Sequence, residues 1–284
     1  MINKGGALAC WLAFALLATN GCTNESNTSQ LAASTPPALS ETIISVRTLG
    51  GATQAGVLSM RGDASEVRYL AVIIPGNPGI LRPTDGPDGS VRTRQAGNFL
   101  IRSRRHLVDN DIAALLVDCR SDFLQMCEDG YQASEDRVRD IEALVAHTRS
   151  QLPAVSEIWM VSTSRGAIAS AAAVRYAGTT FSGAIHTAGM LDRARELGLD
   201  FRGTVPQFLI HHVEDPCPVT SYASARNLAG EREIPLITAR GGSGFSGRPC
   251  DAFTQHGFTG IESTVMGRVR AVIRGVDRTA GTVP

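Results

Sequence analysis

Ile158-Trp159-Met160-Val161-Ser162-Thr163-Ser164-Arg165-Gly166 is the stretch whose reading decides the fold of this chain. The bulky apolar run predicts a buried strand, and the alanine-rich segment from Arg165 to Ala177 predicts a helix directly after it. Between them lies a turn of small residues centred on Ser164. Small side chains two positions before and two after the apex let strand and helix approach closely, and the apex hydroxyl is lifted out of the backbone at the strand tip. Ser162 and Gly166 hold those two positions. Ser164 is therefore the candidate nucleophile, with Ser162, earlier in the turn, as its rival.

A serine hydroxyl becomes nucleophilic when a histidine takes its proton and a carboxylate orients that histidine. Both partners occur downstream, each just beyond a predicted strand. Val205 to His212 reads as a buried strand ending in Val213-Glu214-Asp215-Pro216, and Ile234 to Thr238 reads as another, followed by a glycine-rich loop from Gly241 to Gly247 and then Gln255-His256-Gly257-Phe258. Asp215 and His256 are the candidate acid and base, with Glu214 as the competing acid. They lie 41 residues apart, room for one helix and one strand. Upstream, Tyr69 to Ile74 is the most strand-like run and ends in Pro75-Gly76-Asn77-Pro78-Gly79.

From about Glu41 to Gly275 the chain resembles the α/β-hydrolase superfamily. More narrowly, it looks like a group of small bacterial hydrolases with related segments. Those segments are Pro75–Gly79, Gly97-Asn98-Phe99-Leu100-Ile101-Arg102-Ser103-Arg104, Thr163-Ser164-Arg165-Gly166, His211-His212-Val213-Glu214-Asp215, and His256-Gly257-Phe258-Thr259-Gly260-Ile261-Glu262. In that superfamily the acid follows the serine and the histidine follows the acid, the order of Ser164, Asp215 and His256. The elbow departs from the usual pattern in having Ser162 where a glycine is common. The resemblance implies an oxyanion hole built from the backbone N–H after the serine, that of Arg165, and one from the loop after the third strand. Pro78 has no N–H, so Asn77 is the expected second donor. It implies no particular substrate, because one fold hosts many chemistries. A small-molecule carboxylic ester, hydrolysed through an acyl-enzyme without cofactor or metal, is the expected reaction. The alternative is a catalytically degenerate hydrolase-fold lipoprotein that binds a small ligand.

The rest of the chain predicts strands first, then alternation. Ile43–Val46 and Gln54–Met60 are expected to pair as an antiparallel opening. Tyr69–Ile74, Ile112–Val117 and Phe181–His186 are further strands. Helices are expected over Arg94–Asn110, Ser134–Leu152, Ser221–Ala229 and Gly260–Arg274. Ser134 has the chemistry of an N-cap, with Glu135 and Asp136 in the first turn. Such alternation means a mostly parallel central sheet with helices on both faces, and ligands in such sheets bind beyond the carboxyl ends of the strands. The short stretch from Met190 to Phe201 has room for one small helix, so no large lid is expected. The polar loop from Ile80 to Thr93 is the alternative cover, its Arg82, Arg92 and Arg94 either meeting an anionic substrate or lying in a solvated loop. His186, His211 and His212, near strand ends, are expected to be core histidines bonded to backbone. Asp118, just past a strand, is a supporting candidate.

The N-terminus reads as an export signal over residues 1–22: Lys4, an apolar run of twelve residues from Ala7 to Ala18, then Thr19-Asn20-Gly21-Cys22. Cys22 is the candidate lipidation site of a bacterial lipoprotein, with ordinary secretory cleavage as the alternative. Residues 23–40 are polar and read as a flexible tether, 41–275 as the hydrolase-like domain, and 276–284 as a C-terminal tail. The protein is expected to be exported, either periplasmic or membrane-anchored, and to meet a membrane only through that anchor. Of six cysteines, Cys119, Cys127, Cys217 and Cys250 remain for the mature domain, and four allow three pairings. The favoured one is Cys119–Cys127 with Cys217–Cys250, the second of which would tie the acid loop to the histidine loop. No metal-ligand spacing of cysteine or histidine occurs. The charge balance, 27 basic against 27 acidic residues with no long basic run, argues against nucleic acid as a partner.

Overall fold

The computed structural model describes residues 38–284. The expected signal segment with Cys22, and all but the end of the tether, lie outside the described residues. Among the described residues, eleven strands and seven α-helices follow in the order β1 (Ser40–Arg47), β2 (Thr53–Met60), β3 (Tyr69–Ile74), β4 (Thr84–Asp85), β5 (Val91–Arg92), α1 (Phe99–Leu107), β6 (Ile112–Val117), α2 (Asp129–Gln132), α3 (Glu135–Arg149), β7 (Glu157–Thr163), α4 (Gly166–Tyr176), β8 (Gly183–Thr187), α5 (Leu191–Glu196), β9 (Gln207–His212), α6 (Tyr222–Arg232), β10 (Leu236–Ala239), α7 (Glu262–Ile273) and β11 (Gly281–Val283). Nine strands form one sheet in the order β1-β2-β6-β3-β7-β8-β9-β10-β11. The β1–β2 and β2–β6 pairings are antiparallel and the rest parallel.

Parallel strands covered on both faces are apolar at successive positions, because both faces are dry. In β3, Leu70, Val72 and Ile74 face one core with the apolar sides of α3, α4 and α6, while Ala71 and Ile73 face the other core with α1 and α7. The strand order steps outward from β3 in both directions, so the carboxyl ends of β3, β7, β9 and β10 open on one edge of the sheet. The loops that carry the candidate site all start from those ends.

Local chemistry sets the helix limits. Ser134 caps α3 by accepting from the Arg137 N–H, and Ser221 caps α6 by accepting from that of Ser224. The helix expected from Arg94 begins instead at Phe99, because Asn98 accepts the Leu100 N–H and terminates the turn before it. Residues 276–284, expected to be a tail, carry a strand: after Gly275 the chain returns and adds β11 in parallel to β10, extending the sheet by main-chain hydrogen bonds. Only α5 separates β8 from β9, so no lid is inserted there.

The loop from Ile80 to Thr93 does not cover the site. Ile80 and Leu81 are buried, and β4 and β5 pair as a small hairpin. Arg82 turns inward onto Asp118 at 2.8 Å, and Arg92 and Arg94 are exposed away from the cleft described below. Asp118 also accepts the N–H groups of Leu81, Arg82 and Cys119, so this buried carboxylate shapes the loop and has no contact with His256. Disulfides join Cys119 to Cys127 and Cys217 to Cys250.

Candidate active site

Ser164 follows β7 directly and has φ 53°, in the left-handed region. A non-glycine residue there is strained by roughly 1–3 kcal/mol and persists only when the surroundings over-determine it. Here they do. The Ser164 N–H donates to the Thr187 carbonyl at the end of β8, and its own carbonyl accepts from Ala167 and Met190. The glycine two residues on has no room for a side chain: a Cβ at Gly166 would stand 2.4 Å from the Ile74 carbonyl oxygen and 2.6 Å from that of Pro75. On the other side of the serine, a Cβ at Gly76 would meet the Ser164 Cβ at 2.9 Å. The two glycines thus bring the loop after β3 and the start of α4 into contact around one hydroxyl.

Ser162 occupies the remaining close position without conflict. Its hydroxyl is fully buried and lies 2.7 Å from Ser170 Oγ, which lies 2.8 Å from His186 Nδ1. His186 Nε2 donates to Gln207 Oε1. This cluster joins β7, α4, β8 and β9 below the elbow. His186 is therefore a core histidine, but its partners are side chains rather than backbone. Burial pushes its imidazole down to about 4, against a weak opposing effect of the Gln207 hydrogen bond. Ser162 has no path to solvent and is not placed to act as the nucleophile.

Asp215 sits at the start of the loop after β9 with its side chain fully buried. Its Oδ1 accepts the Cys217 N–H at 2.9 Å. Its Oδ2 accepts from the Thr220 hydroxyl at 3.0 Å, from His256 Nδ1 at 3.0 Å and from His211 Nε2 at 3.1 Å. Burial alone would raise the carboxyl, but the hydrogen bonds from His211 and His256 and their charge outweigh it and hold it well below the usual carboxylate range. His211 also bonds the Thr220 carbonyl, and His212 bonds the Gly241 carbonyl while accepting the Glu214 N–H. Glu214 points into solvent and makes no contact with His256.

His256 stands in a single 3₁₀ turn, Gln255–Gly257, capped by Thr254. With Nδ1 committed to Asp215, Nε2 is the nitrogen left to exchange a proton. Arg102 of α1 braces this turn: its guanidinium donates to the Gly257 carbonyl at 2.7 Å and to Glu262 at 3.0 Å. Phe258, next along, packs its ring 4.7 Å from that of Phe99.

Ser164 and His256 line the same cleft, of about 560 Å³. Asn77 and Arg165 line it too, and neither of their backbone N–H groups has an acceptor among the described residues. Phe99, Met190, Val219 and Ala252 supply apolar lining, and Gln95, Asn98 and Arg248 polar lining. Gln95 was not expected from the sequence: its Nε2 donates to the carbonyls of Gly76 and Asn77 and so aims their peptide groups. Thr220 and Arg102 were likewise missed as supporting residues, although Arg102 lies in one of the segments that carry the family resemblance. Among the described residues no cluster of three histidine, cysteine or acidic side chains is arranged to hold a metal ion.

No protein-family model matches the sequence, and no curated protein matches it significantly. Solved structures do match the chain in shape. The serine hydrolase XC6422 from Xanthomonas campestris, described as lacking a lid, aligns with TM-score 0.51 at 14% identity over 83% of this chain and 93% of its own. The Est1E protein of Butyrivibrio proteoclasticus gives 0.55 at 13% identity over 82% and 98%, and has also been solved with ferulic acid bound. A cold-adapted esterase from an Arctic intertidal metagenomic library gives 0.56 at 13% identity over 84% and 95%. The fold is that of the α/β hydrolases. In this α/β-hydrolase fold, β7 and α4 form the elbow strand and helix, and the loops after β3, β9 and β10 converge on the elbow.

Proposed function

We propose that the protein is a serine hydrolase of small carboxylic esters. Ser164 attacks the ester carbonyl while His256 Nε2 takes the hydroxyl proton. The amides of Asn77 and Arg165 receive the charge that develops on the carbonyl oxygen. His256 then protonates the departing alcohol, leaving an acyl group on Ser164, and a water activated by the same imidazole releases the acid. Asp215 holds the imidazole in the tautomer with Nδ1–H and stabilises its charged form. The observation that carries this reading is the 3.0 Å contact from Asp215 to His256, which lines a cleft shared with a strained, half-buried serine and two unpartnered amides.

A cleft of about 560 Å³ without a lid favours compact substrates, and its mixed lining favours an ester over a long-chain lipid. The shape likeness to proteins described as esterases supports the same choice. Two disulfides support an oxidising, exported setting, in which Cys22 would serve as lipid anchor. The test is hydrolysis of a p-nitrophenyl ester series by the purified protein beside Ser164→Ala. Loss of activity on the order of 10⁶-fold, with loss of fluorophosphonate labelling, is the expected result. A wild-type protein that neither turns over esters nor takes the label would be a binding protein on a hydrolase scaffold.

A further inference from the structure

The two proposed oxyanion donors belong to loops 88 residues apart in sequence, yet their side chains are joined: Arg165 Nη1 donates to Asn77 Oδ1 at 2.9 Å. The same guanidinium donates through Nε to Asp129 Oδ1 at 2.6 Å, and Asp129 Oδ2 accepts from Arg193 Nε at 2.8 Å. The Arg165 and Asp129 side chains are only 13% and 16% exposed, so solvent and salt screen the pair weakly. Asp129 opens α2, two residues after Cys127. The Cys119–Cys127 disulfide closes the loop that leads there, and the Cys127 N–H donates to the Pro78 carbonyl at 2.8 Å, next to Asn77. One loop therefore grips both halves of the oxyanion site, one by main chain and the other by an ion pair.

We infer that Asp129 is a positioning residue that sets, through Arg165, the placement of the Asn77 and Arg165 amides. The inference rests on the serine-hydrolase reading above. Asp129 does not line the cleft, so it acts on no substrate atom directly. Its leverage comes from geometry: oxyanion donors work only within about 2.7–3.1 Å of the developing charge, and a planar guanidinium held at two edges fixes both distance and angle. A rival role for Arg165, holding an anionic substrate with Asp129 merely balancing its charge, would act on binding instead.

The full-length wild type, Asp129→Asn, Arg165→Met and the double variant are compared in hydrolysis of p-nitrophenyl butyrate. Each is also titrated with a trifluoromethyl ketone, which forms a tetrahedral oxyanion on the serine. Asp129→Asn is expected to lower kcat by about 10- to 100-fold with KM unchanged, and to weaken the ketone by a similar factor. The double variant is expected to be no worse than Arg165→Met alone, since both changes cut one tether. Thermal melts verify folding, and Arg165→Met carries the same kcat-against-KM test should Asp129→Asn not fold. Unchanged kcat, additive losses in the double variant, or a raised KM with kcat intact would each overturn the inference while leaving an active serine hydrolase. A wild type without turnover or fluorophosphonate labelling would overturn both readings together.

Discussion

Asp215 receives four hydrogen bonds, and this concentration of donors distinguishes it from Glu214, its neighbour in sequence. An ionised carboxylate only accepts, so donors from Cys217, Thr220, His211 and His256 all favour its charged form. Replacing Asp215 by Asn presents an N–H where His256 needs an acceptor and inverts the tautomer of the ring. A fall in kcat of about 10⁴-fold is expected, whereas Glu214→Ala should leave kcat and KM as they are. Steady-state kinetics on one ester decide the matter: a loss in Glu214→Ala with Asp215→Asn still active would move the acid role to Glu214. The sequence put Asp215 first and kept Glu214, its neighbour, as the competing acid. Their separation depends on the turn after β9, which sends one side chain inward and the other to solvent.

At the scale of elements, β7, α4, β8 and β9 are locked beneath the elbow by the Ser162–Ser170–His186–Gln207 cluster. His186 is held neutral there, its pKa lowered by burial to about 4 from an ordinary 6.5. The unfolded chain binds a proton to this residue more readily than the folded one between those values. The resulting stability is complete above about pH 6.5 and is lost as the pH falls through 6.5 towards 4. The loss is on the order of 3 kcal/mol, from about 1.4 kcal/mol per pKa unit. Urea unfolding at pH 7.5 and 4.5 should show this decrement in the wild type and a smaller one in His186→Gln. Identical pH dependence in the two proteins would mean that the imidazole already gains its proton in the folded state. The apolar run of β8 was legible in the sequence, but the expectation of a backbone partner for His186 was not met. Its neighbours come from three other elements whose register only the sheet sets.

For the whole molecule, the Cys217–Cys250 disulfide spans 33 residues and connects the loops that carry Asp215 and His256. Cys217 also supplies the N–H that donates to Asp215 Oδ1 at 2.9 Å. On the chain-entropy account, closing a loop of that length is worth about 4 kcal/mol, and the shorter Cys119–Cys127 loop about 2–3 kcal/mol. The Cys217→Ser, Cys250→Ser double variant is expected to melt roughly 8–16 °C lower than the wild type. It should also lose ester hydrolysis at temperatures where it is still folded, because the acid and base loops are freed from each other. Calorimetry beside an activity assay separates the two effects. A lower melting temperature with full activity below it would limit the disulfide to a stabilising role.

By itself the sequence determined the strand–turn–helix around Ser164, the alternation that makes a parallel sheet, and the order of the candidate serine, acid and histidine. Those features are local: apolar runs, small residues at a tight turn and capping side chains act over a few positions. Only the tertiary structure decided which loops line the cleft. It turned Arg82 inward to Asp118, brought Gln95 to the loop of Asn77 and Asp129 to Arg165, and drew residues after Gly275 into the sheet as β11. Each of these is a pairing of polar groups or strand edges distant in sequence, where many partners are chemically equivalent and the choice is made by which backbones the packed core places side by side.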